Sequence, residues 1–170
     1  MKPHILFVLG GARSGKSRYA QTRAEALDAG LMFVATAQAF DTEMADRIAR
    51  HRADRGPRWR TVEAPLDLPT TIAAETAPSS VVLVDCLTLW TSNLLLGEHD
   101  IPAATDALVT ALGKARGPVI LVANEVGLGV VPDNALARQF RDAAGFLNQA
   151  VAQAANEVQF VAAGLPLRMK

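Results

Sequence analysis

Eight consecutive residues constrain this chain more than any others: Gly10-Gly11-Ala12-Arg13-Ser14-Gly15-Lys16-Ser17. They fill every fixed position of the pattern G-x-x-x-x-G-K-[ST]. The apolar run Ile5–Leu9 comes directly before them, and a helix-compatible segment follows. In that order the glycines let the backbone curl and turn its amide hydrogens inward. Those donors and the positive end of the following helix then hold phosphate oxygens. Lys16 can reach the β- and γ-phosphates of a nucleotide, and Ser17 can place its hydroxyl on a magnesium ion. Arg13 is open between a phosphate contact and simple surface cover. An ordinary glycine-rich turn is the bland alternative, but it does not account for the full match in this context.

The rest of the chain fits the same architecture. Short apolar runs at Ile5–Leu9, Leu31–Ala35, Val81–Val84, Val119–Val122 and Val158–Ala162 do not alternate strictly with polar residues. That pattern suits strands buried on both faces of a parallel sheet. Helical segments are expected at Ser17–Ala29, Thr42–Arg52, Leu66–Glu75, Ala103–Lys114 and Asn134–Asn156, with Asp41 or Thr42 as a cap for the second. Strands alternating with helices predict an α/β fold of the P-loop, RecA-like kind: a mostly parallel sheet with helices on both faces. Leu165–Met169 can pair back on the last strand as an antiparallel hairpin, with Gly164 and Pro166 near the bend. No linker divides the chain, so residues 1–170 read as one domain. The strand order is not readable from these runs.

Val81-Val82-Leu83-Val84-Asp85 resembles the second half of a nucleotide site. A buried strand there delivers Asp85 to its C-terminal end, beside the magnesium that Ser17 would touch, directly or through water. A plain turn is the competing reading. Cys86 reads as a packed small hydrophobe rather than a nucleophile. In the segment 41–52 the charges are dense, and Arg47, Arg50, Arg52, Arg55, Arg58 and Arg60 surround His51. Such a histidine can bind phosphate, attack an α-phosphorus, or simply be solvated on a charged helix. Trp59 is either core or a stacking platform, and Glu63 either a surface group or an acceptor for a base or ribose. Trp90 and its neighbouring leucines suit an apolar helix face or a subunit contact, with Asn93 as a weaker ligand candidate. Asn124 and Glu125 stand where a strand should end, before Gly127 and Gly129, and are open between ligand contact and turn. Arg138, Arg141 and Asp142 are equally open.

Composition excludes several classes. Seventeen basic residues balance seventeen acidic ones, which gives no electrostatic footprint for nucleic acid. One cysteine cannot form a disulfide within the chain, and no apolar run is long enough to span a bilayer. A cytoplasmic protein is expected, with no nucleic-acid partner and no membrane span.

Several blocks together carry a more specific likeness: GGARSGKS at 10–17, ATAQAFDTEMADRIARHRADR at 35–55, WRTVEAP at 59–65, VDCLTLWTSNLL at 84–95, NEVGLGVVP at 124–132, ARQFRDAAGFLNQ at 137–149 and AGLPLRMK at 163–170. The chain resembles the bifunctional adenosylcobinamide kinase and adenosylcobinamide-phosphate guanylyltransferase family over nearly its whole length. The resemblance implies two reactions of cobalamin assembly. The γ-phosphate of ATP or GTP passes to the aminopropanol hydroxyl of adenosylcobinamide. GMP then passes from GTP to adenosylcobinamide-phosphate through a guanylylated histidine, which releases pyrophosphate and forms adenosylcobinamide-GDP. By that resemblance the covalent residue is His51; some relatives have two adjacent histidines where this chain has Arg50 and His51. The same resemblance makes Ala35, Thr36 and Ala37 a guanine-nucleotide loop and adds His51, Arg52, Ala53, Asp54, Glu63 and Asp85 to the nucleotide site. It implies a homo-oligomer, trimers included. A simple P-loop kinase for another small alcohol and a nucleotide-dependent switch that binds a partner are the competing functions.

Overall fold

The apolar runs assemble into one seven-stranded sheet in the order β3-β2-β4-β5-β1-β6-β7. The computed structural model describes residues 3–38 and 42–170; the side chains at 43, 44, 47, 50–52 and 54 lie outside the described residues. In chain order the elements are β1 Ile5–Gly10, α1 Lys16–Glu25, β2 Gly30–Ala35, α2 Thr42–Arg55, β3 Trp59–Glu63, α3 Leu68–Glu75, β4 Ser80–Asp85, α4 Leu87–Leu96, α5 Ile101–Gly113, β5 Val119–Asn124, α6 Ala135–Ala154, β6 Glu157–Ala162 and β7 Leu165–Arg168. Strands joined through helices run parallel, because the crossover returns the chain to the same edge. All pairings from β3 through β6 are parallel. The expected C-terminal hairpin is present: β7 pairs antiparallel with β6. Its turn residues, Ala163 and Gly164, have φ of 51° and 77°, the positive values that two-residue hairpin connections require.

Alternate side chains of the inner strands feed two cores. Ile5, Phe7 and Leu9 of β1 join residues of α3, α4, α5 and α6 on one face. Leu6 and Val8 face the other way and meet Ala20 and Ala24 of α1. Helices therefore cover both faces, which is why the strands read as continuous apolar runs rather than alternating ones.

Several expected boundaries shift. Helix α1 stops at Glu25 rather than Ala29, because the amides of Ala26 and Leu27 turn back onto Thr22 and Ala24 and Gly30 must reach the Ser79 carbonyl, 2.8 Å away. Helix α2 runs on to Arg55, whose guanidinium lies 3.5 Å from the Phe33 ring centre. The proposed cap Asp41 lies outside the described residues. Strand β3 was not expected as a strand: it borders the sheet, and Arg60 and Glu63 interrupt its apolar character. Trp90 is fully buried and donates its indole N–H to the Leu66 carbonyl at 2.9 Å, so it is core and not a subunit contact. Trp59 is also core. It lies edge-on to Phe33 and donates to Glu25 at 3.0 Å rather than offering a free stacking face.

Candidate active site

The strand ends bring the expected residues to one edge of the sheet. Gly10 pairs in register with Asn124, while Ala35 pairs with Glu63 on one side and Asp85 on the other. In open parallel sheets this C-terminal edge is where ligands bind.

The phosphate loop leaves β1 at a position that only glycine can fill. A Cβ on Gly10 would stand 2.5 Å from both the Ser14 hydroxyl and the Val161 carbonyl oxygen. Gly15 has φ of 91° and precedes α1 without any side-chain cap, so the first amides of α1 have no capping partner there and face the loop. Lys16 is buried and folds back to donate to the Gly11 carbonyl at 3.0 Å. The Ser14 hydroxyl is buried with no hydrogen-bond partner among the described residues, the kind of group that an anion can satisfy. Arg13, at φ of 54°, and Ala12 are exposed, as is Ser17 in the first turn of α1. The sequence reading did not foresee the part the hairpin turn plays here. Gly164 donates its amide to the Ser14 carbonyl at 2.7 Å, and its Cα would lie 3.1 Å from a Cβ on Gly15. AGLP at 163–166 was the visible signal, since a turn with two positive φ values needs such residues.

Strand β5 separates β1 from β4, so Asp85 stands two strands from the phosphate loop and half-buried. Thr36 locks the segment next to it. Its hydroxyl donates to the Cys86 carbonyl at 2.7 Å and accepts the Cys86 amide at 2.9 Å. Asn93 then bridges the Thr36 and Pro65 carbonyls at 2.8 and 3.0 Å, which makes its amide a structural tie. Cys86 is buried, and burial first, then the charge of Asp85, pushes its thiol above the usual range. That keeps it neutral and packed, as expected.

A cleft of about 450 Å³ opens between α2 and the ends of β2 and β3. Ala45, Ile48 and Ala49 line it on the helix side; Ala37, Gln38, Glu63 and Pro65 line it on the sheet side. His51 lies on the same helix, one turn past Ile48. The side chains of His51, Arg52 and Asp54 lie outside the described residues; Ala53 is exposed. Arg138 donates one guanidinium nitrogen to the Pro132 and Asp133 carbonyls at 2.8 and 2.7 Å, which ties α6 to the loop before it.

Among solved structures the chain is similar to an ATPase from the type III secretion system of pathogenic bacteria, with a TM-score of 0.55 and 13% identity over 97% of this chain and 56% of that one. It is also similar to the RadB recombinase, with a TM-score of 0.50 and 14% identity over 92% of this chain and 73% of that one. At those identities the likeness bears on the fold alone: a mostly parallel α/β sheet of the P-loop, RecA-like kind. Among sequences it is 48% identical over 165 residues to the bifunctional adenosylcobalamin biosynthesis protein CobP of Pseudomonas aeruginosa, covering 96% of this chain and 95% of that protein. It is 42% identical to the bifunctional adenosylcobalamin biosynthesis protein CobU of Escherichia coli, covering 98% of this chain and 99% of that protein. The model of one family, cobinamide kinase / cobinamide phosphate guanyltransferase, matches residues 6–169. With the phosphate loop and the α2 cleft on one sheet edge, and with these matches over nearly the full length, the chain belongs to the cobinamide kinase / cobinamide phosphate guanyltransferase family.

Proposed function

We propose that one phosphate cradle serves two successive transfers, the kinase step and the guanylyl step of this family, within a single catalytic domain over 1–170. The observation that carries this reading is the cleft between α2 and the sheet edge. It sets the helix bearing His51 across from Glu63, beside the strand ends that carry Asp85 and the phosphate loop.

In the kinase step ATP or GTP lies with its β- and γ-phosphates on the amides of Gly10, Gly11, Ala12, Arg13, Ser14 and Gly15. Lys16 exchanges the Gly11 carbonyl for phosphate oxygens. The aminopropanol hydroxyl of adenosylcobinamide attacks the γ-phosphorus, the bond to the β–γ bridging oxygen breaks so that ADP or GDP leaves, and the hydroxyl proton passes to water. Stabilisation here is mostly electrostatic, so a dry cradle of fixed donors matters more than any single base. In the guanylyl step the base of GTP occupies the α2 cleft, held by Glu63 and by the backbone of Ala35, Thr36 and Ala37. The Thr36 hydroxyl is engaged with Cys86, its carbonyl with Asn93 and the Ala35 carbonyl with the Ala64 amide, which leaves this loop to act through its remaining backbone groups. A ring nitrogen of His51 attacks the α-phosphorus and pyrophosphate leaves. An oxygen of adenosylcobinamide-phosphate then attacks the same phosphorus, the N–P bond breaks, and adenosylcobinamide-GDP forms. Arg52, Ala53 and Asp54 complete this side of the nucleotide site.

Ser17 and Asp85, both hard oxygen donors, would hold a magnesium ion at this edge. Among the described residues no group of three or more His, Cys, Asp or Glu could hold a metal ion. When bound, it neutralises charge on the phosphates. The protein is expected to act as a homo-oligomer in the cytoplasm; among the described residues no helix is long and apolar enough to cross a membrane.

The test supplies purified protein with adenosylcobinamide and GTP and identifies the products by mass. Adenosylcobinamide-GDP is expected. Adenosylcobinamide-phosphate alone would leave only the kinase half standing, and neither product would overturn the reading.

A further inference from the structure

Beside the phosphate loop lies an apolar rim that phosphate chemistry does not use. Three segments form it. The loop after β5 carries Leu128, Val130 and Val131, which are 81%, 95% and 61% exposed. Leu89, in the first turn of α4, and Leu136, in the first turn of α6, are exposed beside it. Hydrogen bonds join the three segments, and one of them reaches the cradle. The Glu125 amide donates to the Gly10 carbonyl at 3.0 Å, and the Asn124 amide donates to the Thr88 hydroxyl, next to Leu89, at 2.7 Å. The Gly127 amide donates to the Glu125 carboxylate at 2.6 Å, and Arg138 fastens the far end of the loop to α6. A loop stapled in this way holds its aliphatic side chains in water, where an apolar ligand gains by covering them.

We propose that this rim docks the corrin ring of the acceptor. The inference rests on the bifunctional reading above, because it takes the acceptor from that reading. The acceptor hydroxyl must reach the γ-phosphate at Gly10–Ser17, so the remainder of this large molecule must lie across an adjoining surface. One flank of the loop is closed by the hairpin turn, where Gly164 packs on Ser14 and Gly15. The α2 cleft is the place of the base. The β5 flank remains, and it is the apolar one. A corrin macrocycle has methyl-fringed faces for Leu128, Val130, Val131, Leu89 and Leu136 and an edge of neutral amides for the loop backbone. The other apolar groove, of about 500 Å³ and lined by Leu95, Ile101 and Phe146, lies toward the opposite end of α4.

The double variant Leu128→Ser/Val130→Ser tests the assignment. Binding of cobinamide, followed by its visible absorbance in equilibrium dialysis, should weaken about tenfold or more. Both side chains already face water, so the melting temperature should hold, and the variant should still take a covalent GMP label from GTP, a step that needs no corrinoid. Leu167→Ser, on an exposed leucine of β7 away from the hairpin turn, should bind cobinamide like the wild type. Affinity of the double variant within about twofold of the wild type would overturn the docking surface alone. Dissociation of an oligomer in sedimentation would reassign the rim to a second copy of the chain. A wild type that binds no cobinamide would sink the bifunctional reading, and this proposal with it.

Discussion

Glu157 shows how much a single side chain can hold together outside the site. It accepts both guanidinium nitrogens of Arg23, at 2.7 and 2.9 Å, and also Gln159 at 2.8 Å and His4 at 3.1 Å. That fastens α1 to β6 and to the start of β1. The Arg23 hydrogen bonds, helped by Gln159 and His4 against the cost of burial, pull its carboxyl from 4.5 down to about 2. Arg23 is raised above its ordinary value in return, chiefly by the same pairing. A depressed carboxylate stabilises the fold fully above the unfolded value and loses that contribution as pH falls through the folded one. Urea melts of wild type and Glu157→Gln should therefore differ by about 1–3 kcal/mol at neutral pH. The gap should close between pH 4.5 and about 2. A gap that stays constant across that range would contradict the role given to the pair. None of this was legible in the sequence, because the partners lie 134 and 153 residues apart. By contrast, the nearly full burial of Cys86 and Trp59 agrees with the core reading of each, since large or soft apolar groups seldom stay in water.

At the scale of elements, the phosphate loop depends on the hairpin as well as on its own glycines. Gly164 adopts φ of 77°, a region that a β-branched residue enters only under strain, while a Cβ there would meet nothing within 4 Å. Gly164→Val should thus act through the backbone alone. It is expected to cost about 1–2 kcal/mol. It should also weaken GTP binding, because the amide that holds the Ser14 carbonyl is displaced. Thermal melting and a GTP titration check the two effects; strain without any loss of GTP affinity would mean that the turn does not position the loop. The hairpin was legible from Gly164 and Pro166 because turn chemistry is local. Strand β3 was not, because a strand at the sheet border tolerates Arg60 and Glu63, and its apolar pattern is broken. The Thr36 lock on Cys86 was equally hidden, because it joins residues 50 apart.

For the molecule as a whole, the parallel sheet converts a few separated motifs into one edge. The inner strands were legible because both their faces are buried, and Walker-type spacing announced what stands at the end of β1. Strand order was not legible, since parallel pairings such as β1 with β5 join residues more than a hundred positions apart. The order matters most for function: it sets β5 between the cradle and Asp85 and puts the Ala35, Glu63 and Asp85 ends side by side. The central claim is that this one edge serves both transfers, with His51 as the covalent carrier and Lys16 common to both. Peptide-mapped mass spectrometry after incubation with GTP tests it most directly. The account predicts a single GMP adduct on His51, absent from His51→Ala and sharply reduced, together with the kinase rate, in Lys16→Ala. An adduct that maps to another residue, or that persists undiminished in His51→Ala, would contradict it.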